Sequence, residues 1–158
     1  NGSGFIDTYN FRMLINVFEN DKLLRYTDST CILNFTIVRW HQQQSNIDPN
    51  PNWSGVHLFS RYQTENDLYV ASVRVDGLST IKKKIKGEYT TIGQSRIHQI
   101  QLQQKYRLQF DICGNNLSLL LNDVVVVHCI DTKSELHFGC CGVRTDYCDV
   151  VVNRIEIK

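Results

Sequence analysis

The chain has 158 residues, the size of one domain, so a self-sufficient core is expected. Seventeen basic residues stand against 16 acidic ones, and a net charge of +1 lacks the strong basic excess of a nucleic-acid binder. Hydrophobic residues make up 42% and only two prolines occur, which excludes a disordered segment, and no apolar run approaches the ~20 residues of a membrane span.

No signal-peptide pattern opens the chain, and residues 1–4 of "NGSGF" read as a cut end or cloning remnant, with room for neighbouring domains of a larger chain. "FRMLINVF" (11–18) reads as a strand or one helical turn, and "NFTIVRW" (34–40) as a strand ending in Trp40. "HQQQSNIDPNPNWSG" (41–55) is the clearest loop; it holds both prolines and Trp53. About nine or ten short strands and no long helix follow from the runs of Val, Ile, Leu, Tyr and Phe between Gly, Asn and Asp. The fold class expected is all-β, a two-sheet antiparallel sandwich or barrel formed by residues 1–158 as one domain.

"GVHLFSRYQTENDLYVASVRVDG" (55–77) reads as a hairpin with its turn at Glu65-Asn66. That turn pairs Tyr62 with Tyr69, Ser60 with Ala71, Leu58 with Val73 and Val56 with Val75 on an apolar face. The other face pairs Arg61 with Val70, Phe59 with Ser72 and His57 with Arg74. His57, Phe59, Arg61 and Arg74 therefore form one patch on the side away from the core. The basic run from Lys82 to Lys86 reads as a solvated strand face.

Farther on, turns at Gly114-Asn115 and Asn122-Asp123 register three strands. They gather Tyr106, Leu108, Phe110, Ile112, Leu117, Leu119, Leu121, Val124, Val126 and His128 on the core face. In this register Cys113 and Cys129 share the other face but lie ~9–10 Å apart, two strand spacings, too far for a disulfide. Any bridge would join Cys140 or Cys141 to Cys148 across the "GVRTDY" turn. No CxxC pair occurs, and His137, Cys140, Cys141 and Cys148 read as strand residues rather than metal ligands. The sequons at Asn1, Asn34, Asn52 and Asn116 lean towards an extracellular or cell-surface protein.

The order of these motifs resembles the concanavalin A-like (LamG-like) jelly rolls. Gly55, Arg61, Tyr69, Gly87, Tyr106, Gly114, Asn115, Asn122, Gly139, Gly142 and Asn153 occupy matching positions over roughly residues 23–158. The resemblance implies a two-sheet antiparallel jelly roll of the carbohydrate-binding-module type. Asp123 replaces the usual Gly of the Asn-Gly turn. Val151-Val152-Asn153 replaces Phe-Asp-Asn, so an aspartate that helps hold a structural Ca2+ in some relatives is missing, and no cofactor is required.

Three functions fit such a sandwich. Glycosidases need two carboxylates about 5–10 Å apart. The Glu-x-Asp-x-x-Glu strand motif of glucanase relatives is absent, and the five glutamates (Glu19, Glu65, Glu88, Glu135 and Glu156) are scattered. Polysaccharide lyases use a Tyr or His base beside an Arg, with which His57, Arg61 and Arg74 are compatible. A binding module needs only a stacking ring and directional donors. The expected site is therefore His57, Phe59, Arg61 and Arg74, with Trp53 or Trp40 at its rim. It would take an oligosaccharide or polysaccharide, with arginines suited to an acidic or fructose-like end group. The alternatives are a protein-interaction or adhesion module and, further off, an enzyme. A structural reading of the patch would instead neutralise its arginines internally, through Asp111 or Asp149.

Overall fold

A computed structural model describes residues 2–7, 12–19, 22–23, 26–40, 54–96 and 99–158. Among them the strands in chain order are β1 (Gly2–Asp7), β2 (Arg12–Glu19), β3 (Lys22–Leu23), β4 (Ser29–Trp40), β5 (Gly55–Thr64), β6 (Asp67–Arg74) and β7 (Leu78–Ile85). They continue with β8 (Glu88–Arg96), β9 (Lys105–Cys113), β10 (Asn116–Leu121), β11 (Val124–Ile130), β12 (Cys140–Asp146) and β13 (Cys148–Ile157). All pairings are antiparallel. One sheet has the order β1-β2-β12-β5-β6-β7-β8, with β3 beside β2; the other runs β11-β10-β9-β4-β13. The expected two-sheet all-β sandwich is the observed architecture. Residues 12–18 of "FRMLINVF" are strand rather than helical turn.

Alternation of side chains places the core between the sheets. Leu33, Phe35 and Ile37 of β4, Leu108 and Phe110 of β9, and Leu117 and Leu119 of β10 are fully buried. They meet Val56, Leu58, Tyr69, Ala71, Val73 and Ile81 of the other sheet. Each fully buried Leu, Ile or Phe contributes roughly 1.5–3 kcal/mol. Phe35 and Tyr106 stack at 5.8 Å between ring centroids.

The three turns stand where the sequence puts them, yet two bulges redraw the registers. Asn122 and Asp123 both adopt left-handed φ, 50° and 66°, so Asp123 takes the conformation usually left to Gly. The β9–β10 register is as expected, from Cys113 opposite Asn116 to Leu121 opposite Leu108. On β11 the register slips by one between Leu119 and Leu120, so Leu119 opposes Val127. Val127 turns inward, Val126 is half-buried, and Val124 (65% exposed) and His128 face out, correcting the core expected there. The slip also moves Cys129 to the core side while Cys113 stays exposed. The two do not share a face.

The β5–β6 turn has Thr64 opposite Asp67, but a bulge takes up two residues, and Ser60 then opposes Tyr69, Leu58 opposes Ala71 and His57 opposes Ser72. An even slip preserves which side each residue faces, apart from the bulged residues themselves. Cys148 belongs to β13 of the second sheet, opposite Trp40, and Cys141 and Cys148 are both unbridged thiols. The expected bridge to Cys148 is not formed, because β12 and β13 run in different sheets.

Candidate functional site

The outer face of the larger sheet carries a groove of about 370 Å³ that crosses five adjacent strands. Pairing registers build it. Arg144 of β12 opposes His57 of β5, His57 opposes Ser72 of β6, and Ser72 opposes Thr80 of β7. These four form one row across the strands. In the next row Val70 opposes Lys82. Arg74 borders the opposite side of the first row, and Tyr89 of β8 closes the far wall.

His57 is 3% exposed and is gripped on both ring edges. Its Nδ1 lies 2.7 Å from Ser72 Oγ, and its Nε2 lies 3.2 Å from Asp146 Oδ2. Burial holds the imidazole below its ordinary value; the Asp146 contact opposes that shift, and Arg144 and Arg74 add to it. The ring is therefore neutral near pH 7, and the carboxylate beside Nε2 favours the tautomer with its proton there. Burial also penalises the Asp146 carboxylate, but the hydrogen bond with His57 and the nearby charges outweigh it and keep it ionised. Arg144 shares Asp146 with His57.

Arg74 keeps its place on this face but lies opposite neither His57 nor an empty surface. Its guanidinium holds Asp76 through two contacts, 3.2 Å and 2.6 Å. Neither aspartate expected as a neutralising partner does this: Asp149 pairs with Arg39 at 2.6 Å and Asp111 accepts from Gln109.

Phe59 is on the expected face but is 1% exposed. It packs with Leu68, Val70 and Tyr62, and the Arg144 guanidinium sits 5.8 Å above its ring. It offers no plane to a ligand. Arg61 leaves the patch altogether. It sits in the bulge with φ 46° and is 4% exposed. Its three nitrogens donate to the carbonyls of Thr27 (2.8 Å), Leu136 (2.7 Å) and Gly114 (2.7 Å). Trp40 is half-buried against the main core in the smaller sheet, so it is not a rim residue. Trp53 lies outside the described residues.

Four groove residues were missed by the sequence reading. Tyr89 is 48% exposed and supplies the aromatic wall, with Lys82 Nζ 6.0 Å and Lys84 Nζ 5.0 Å from its ring centroid. Lys82 opens the run read as a solvated face, and Thr80 stands two residues before it on the same strand. That run instead alternates: Lys82 lines the groove, and Lys83 is buried on the other side. Strict period-two alternation was the available signal. Arg144 had none, because its place beside His57 depends on β12 inserting between β2 and β5. Among the described residues no group of three or more His, Cys, Asp or Glu is arranged to hold a metal ion.

Neither a protein-family model nor a curated protein sequence matches the chain. Solved structures do. The carbohydrate-binding module CBM66 from Bacillus subtilis matches with a TM-score of 0.70 at 18% identity, over 100% of this chain and 92% of that one. Sheep galectin-11, in complex with glycerol, matches at 0.60 and 12% identity over 94% and 97%. A Bacillus subtilis protein of unknown function with a galectin-like fold matches at 0.61 and 10% identity, over 99% and 86%. The shared feature is the fold, a jelly-roll β-sandwich.

Proposed function

We propose that the protein is a non-catalytic glycan-binding domain whose site is the groove bordered by His57, Ser72, Arg74, Lys82, Tyr89 and Arg144. The observation that carries this is a half-exposed Tyr89 ring standing beside guanidinium, ammonium and hydroxyl donors in a cleft across five strands. Sugars present apolar C–H faces to a ring and hydroxyls to directional donors, and this groove offers both. No carboxylate is among its described lining residues, and the nearby Asp76 and Asp146 are engaged by Arg74 and Arg144. That argues for binding rather than acid–base hydrolysis. The fold shared with a carbohydrate-binding module and galectins is in keeping with the reading. The finer placement, with the concanavalin A-like (LamG-like) branch, rests on the motif order from Gly55 to Asn153. An extracellular or cell-surface location goes with both, supported by the sequons, of which Asn116 is exposed at a hairpin turn.

The test is an oligosaccharide screen followed by calorimetry on the best ligand. Tyr89→Ala is expected to weaken binding by roughly 1 kcal/mol, about five-fold, at unchanged melting temperature. The same ligand incubated with the protein should yield neither new reducing ends nor unsaturated-product absorbance. Failure of the whole panel to bind, or binding indifferent to Tyr89→Ala and Arg74→Gln together, overturns the proposal.

A further inference from the structure

The cations of the groove are not equally satisfied. Arg74 and Arg144 each have a carboxylate two residues further along the chain, Asp76 in the turn after β6 and Asp146 at the end of β12. Lys82 has none among the described residues; its contact is the Tyr89 ring. It is half-buried, and burial first, then the like charge of Arg74 across the groove, hold its ammonium below the ordinary value. Thr80, two residues before Lys82 on the same face of β7, is 1% exposed, and its Oγ1 has no hydrogen-bond partner in the protein. Arg144 Nε is likewise buried without a partner. A buried hydroxyl left unpaired is destabilising until something supplies its missing partner.

The register fixes where these groups meet. Thr80 opposes Ser72; Arg74 lies two residues beyond Ser72 on β6, and Lys82 two residues beyond Thr80 on β7, in the opposite direction across the groove. At ~3.3 Å per residue, each cation stands ~7 Å along its strand from the Ser72–Thr80 row. A single oxyanion over that row would sit between the two cations and take the Thr80 O–H. A neutral hydroxyl there would satisfy Thr80 but leave the Lys82 ammonium without a counter-charge.

We propose that the groove selects a sugar bearing an anionic substituent, a carboxylate or a sulfate ester, seated over Thr80 between Lys82 and Arg74. This rests on the glycan-binding reading and names the class of sugar it takes.

The experiment compares matched ligands by calorimetry: a trigalacturonate against its fully methyl-esterified form, and a heparin tetrasaccharide against its chemically desulfated form. The anionic member of at least one pair should bind ten-fold or more tightly than its neutral twin, and rising salt should narrow that gap. The pair that shows the preference identifies carboxylate or sulfate. Lys82→Gln should erase the preference, while Arg154→Gln, on exposed β13, should keep it. Thr80→Val should lower affinity for the anionic member with no fall in melting temperature, since it removes an unpaired hydroxyl rather than a packing group. Equal affinity within both pairs overturns the proposal, as does a preference that survives Lys82→Gln. If neutral twins bind in a Tyr89-dependent way and anionic ones gain nothing, the inference falls and the glycan reading stands; if no oligosaccharide of either charge binds, both fall.

Discussion

Lys83 and Asp131 form an ion pair at 2.9 Å in which neither side chain is more than 9% exposed. Lys83 also donates to the Lys133 carbonyl at 2.7 Å, and Asp131 accepts from the Tyr69 hydroxyl at 2.7 Å. The pair ties β7 to the segment that follows β11. Burial alone would raise the Asp131 carboxyl, but the hydrogen bonds from Tyr69, Lys83 and the Lys133 amide bring it below its ordinary value. Asp131→Ala leaves the buried ammonium only the exposed Glu135 carboxylate, 3.5 Å away, and is expected to cost about 2–4 kcal/mol in urea unfolding. The Lys83→Met, Asp131→Leu double variant should recover most of that loss. A single-variant cost under about 1 kcal/mol would mean that the pair is solvated in solution.

His57 sets an acid limb on stability. Its folded-state value lies below the ordinary 6.5, chiefly through burial. Below about pH 6.5 the unfolded chain takes up a proton that the folded chain refuses until lower pH. Stability from His57 is therefore complete above that point and lost as the pH falls through the folded value. Asp146, also held low, adds a second loss beginning below its ordinary value of 3.8. Urea midpoints measured from pH 7.5 to 5 should decline in the parent and decline less in His57→Gln. A flat parent profile would show that the ring is accessible to protons in the folded state.

The thiols should divide by burial. Cys113 is exposed, while Cys31, Cys141 and Cys148 are buried. Burial pushes Cys148 up to about 12 and Cys129 up to about 11, so little of either is thiolate at neutral pH. In an aromatic-disulfide titration Cys113 should react within the native state, and Cys31, Cys141 and Cys148 only on unfolding. A non-reducing peptide map that bridges Cys141 or Cys148 would contradict this arrangement.

How far the sequence reaches is clear from particular residues. Asn122-Asp123 and Gly114-Asn115 announce their turns because few residues tolerate left-handed φ, and the β9–β10 register follows. The β11 slip had no signature. Both alternating faces of "VVVVHC" are apolar at their start, so a one-residue shift exposes one valine set in place of another. His57 and Arg74 were placed on the correct face because the β5 bulge slips the register by two. Their neighbour Arg144 arrives from a strand far along the chain, and strand order is a tertiary outcome. Arg61 failed for a different reason: alternation assumes extended backbone, and at φ 46° that assumption breaks.

Arg61 supplies the prediction that separates scaffold from site. One guanidinium ties the β5 bulge to Thr27, Leu136 and Gly114, and Asp28 lies 3.7 Å away. Gly139 presses on the same bulge, where a Cβ would come within 2.3 Å of the Arg61 carbonyl carbon and 2.6 Å of Tyr62 N. A left-handed non-glycine residue costs about 1–3 kcal/mol locally, so the surrounding bonds must outweigh that strain. Arg61→Ala removes three charge-assisted donors to buried or half-buried carbonyls and is expected to cost about 2–5 kcal/mol of unfolding free energy. Arg61→Lys should recover little, because an ammonium cannot present the planar fork that reaches three separate carbonyls. Arg61 does not line the groove, so whatever remains folded should bind ligand as the parent does; Arg74→Gln should show the reverse, weaker binding at nearly unchanged stability. A folded Arg61→Ala protein that has lost ligand affinity while Arg74→Gln keeps it would move the site from the groove to the bulge.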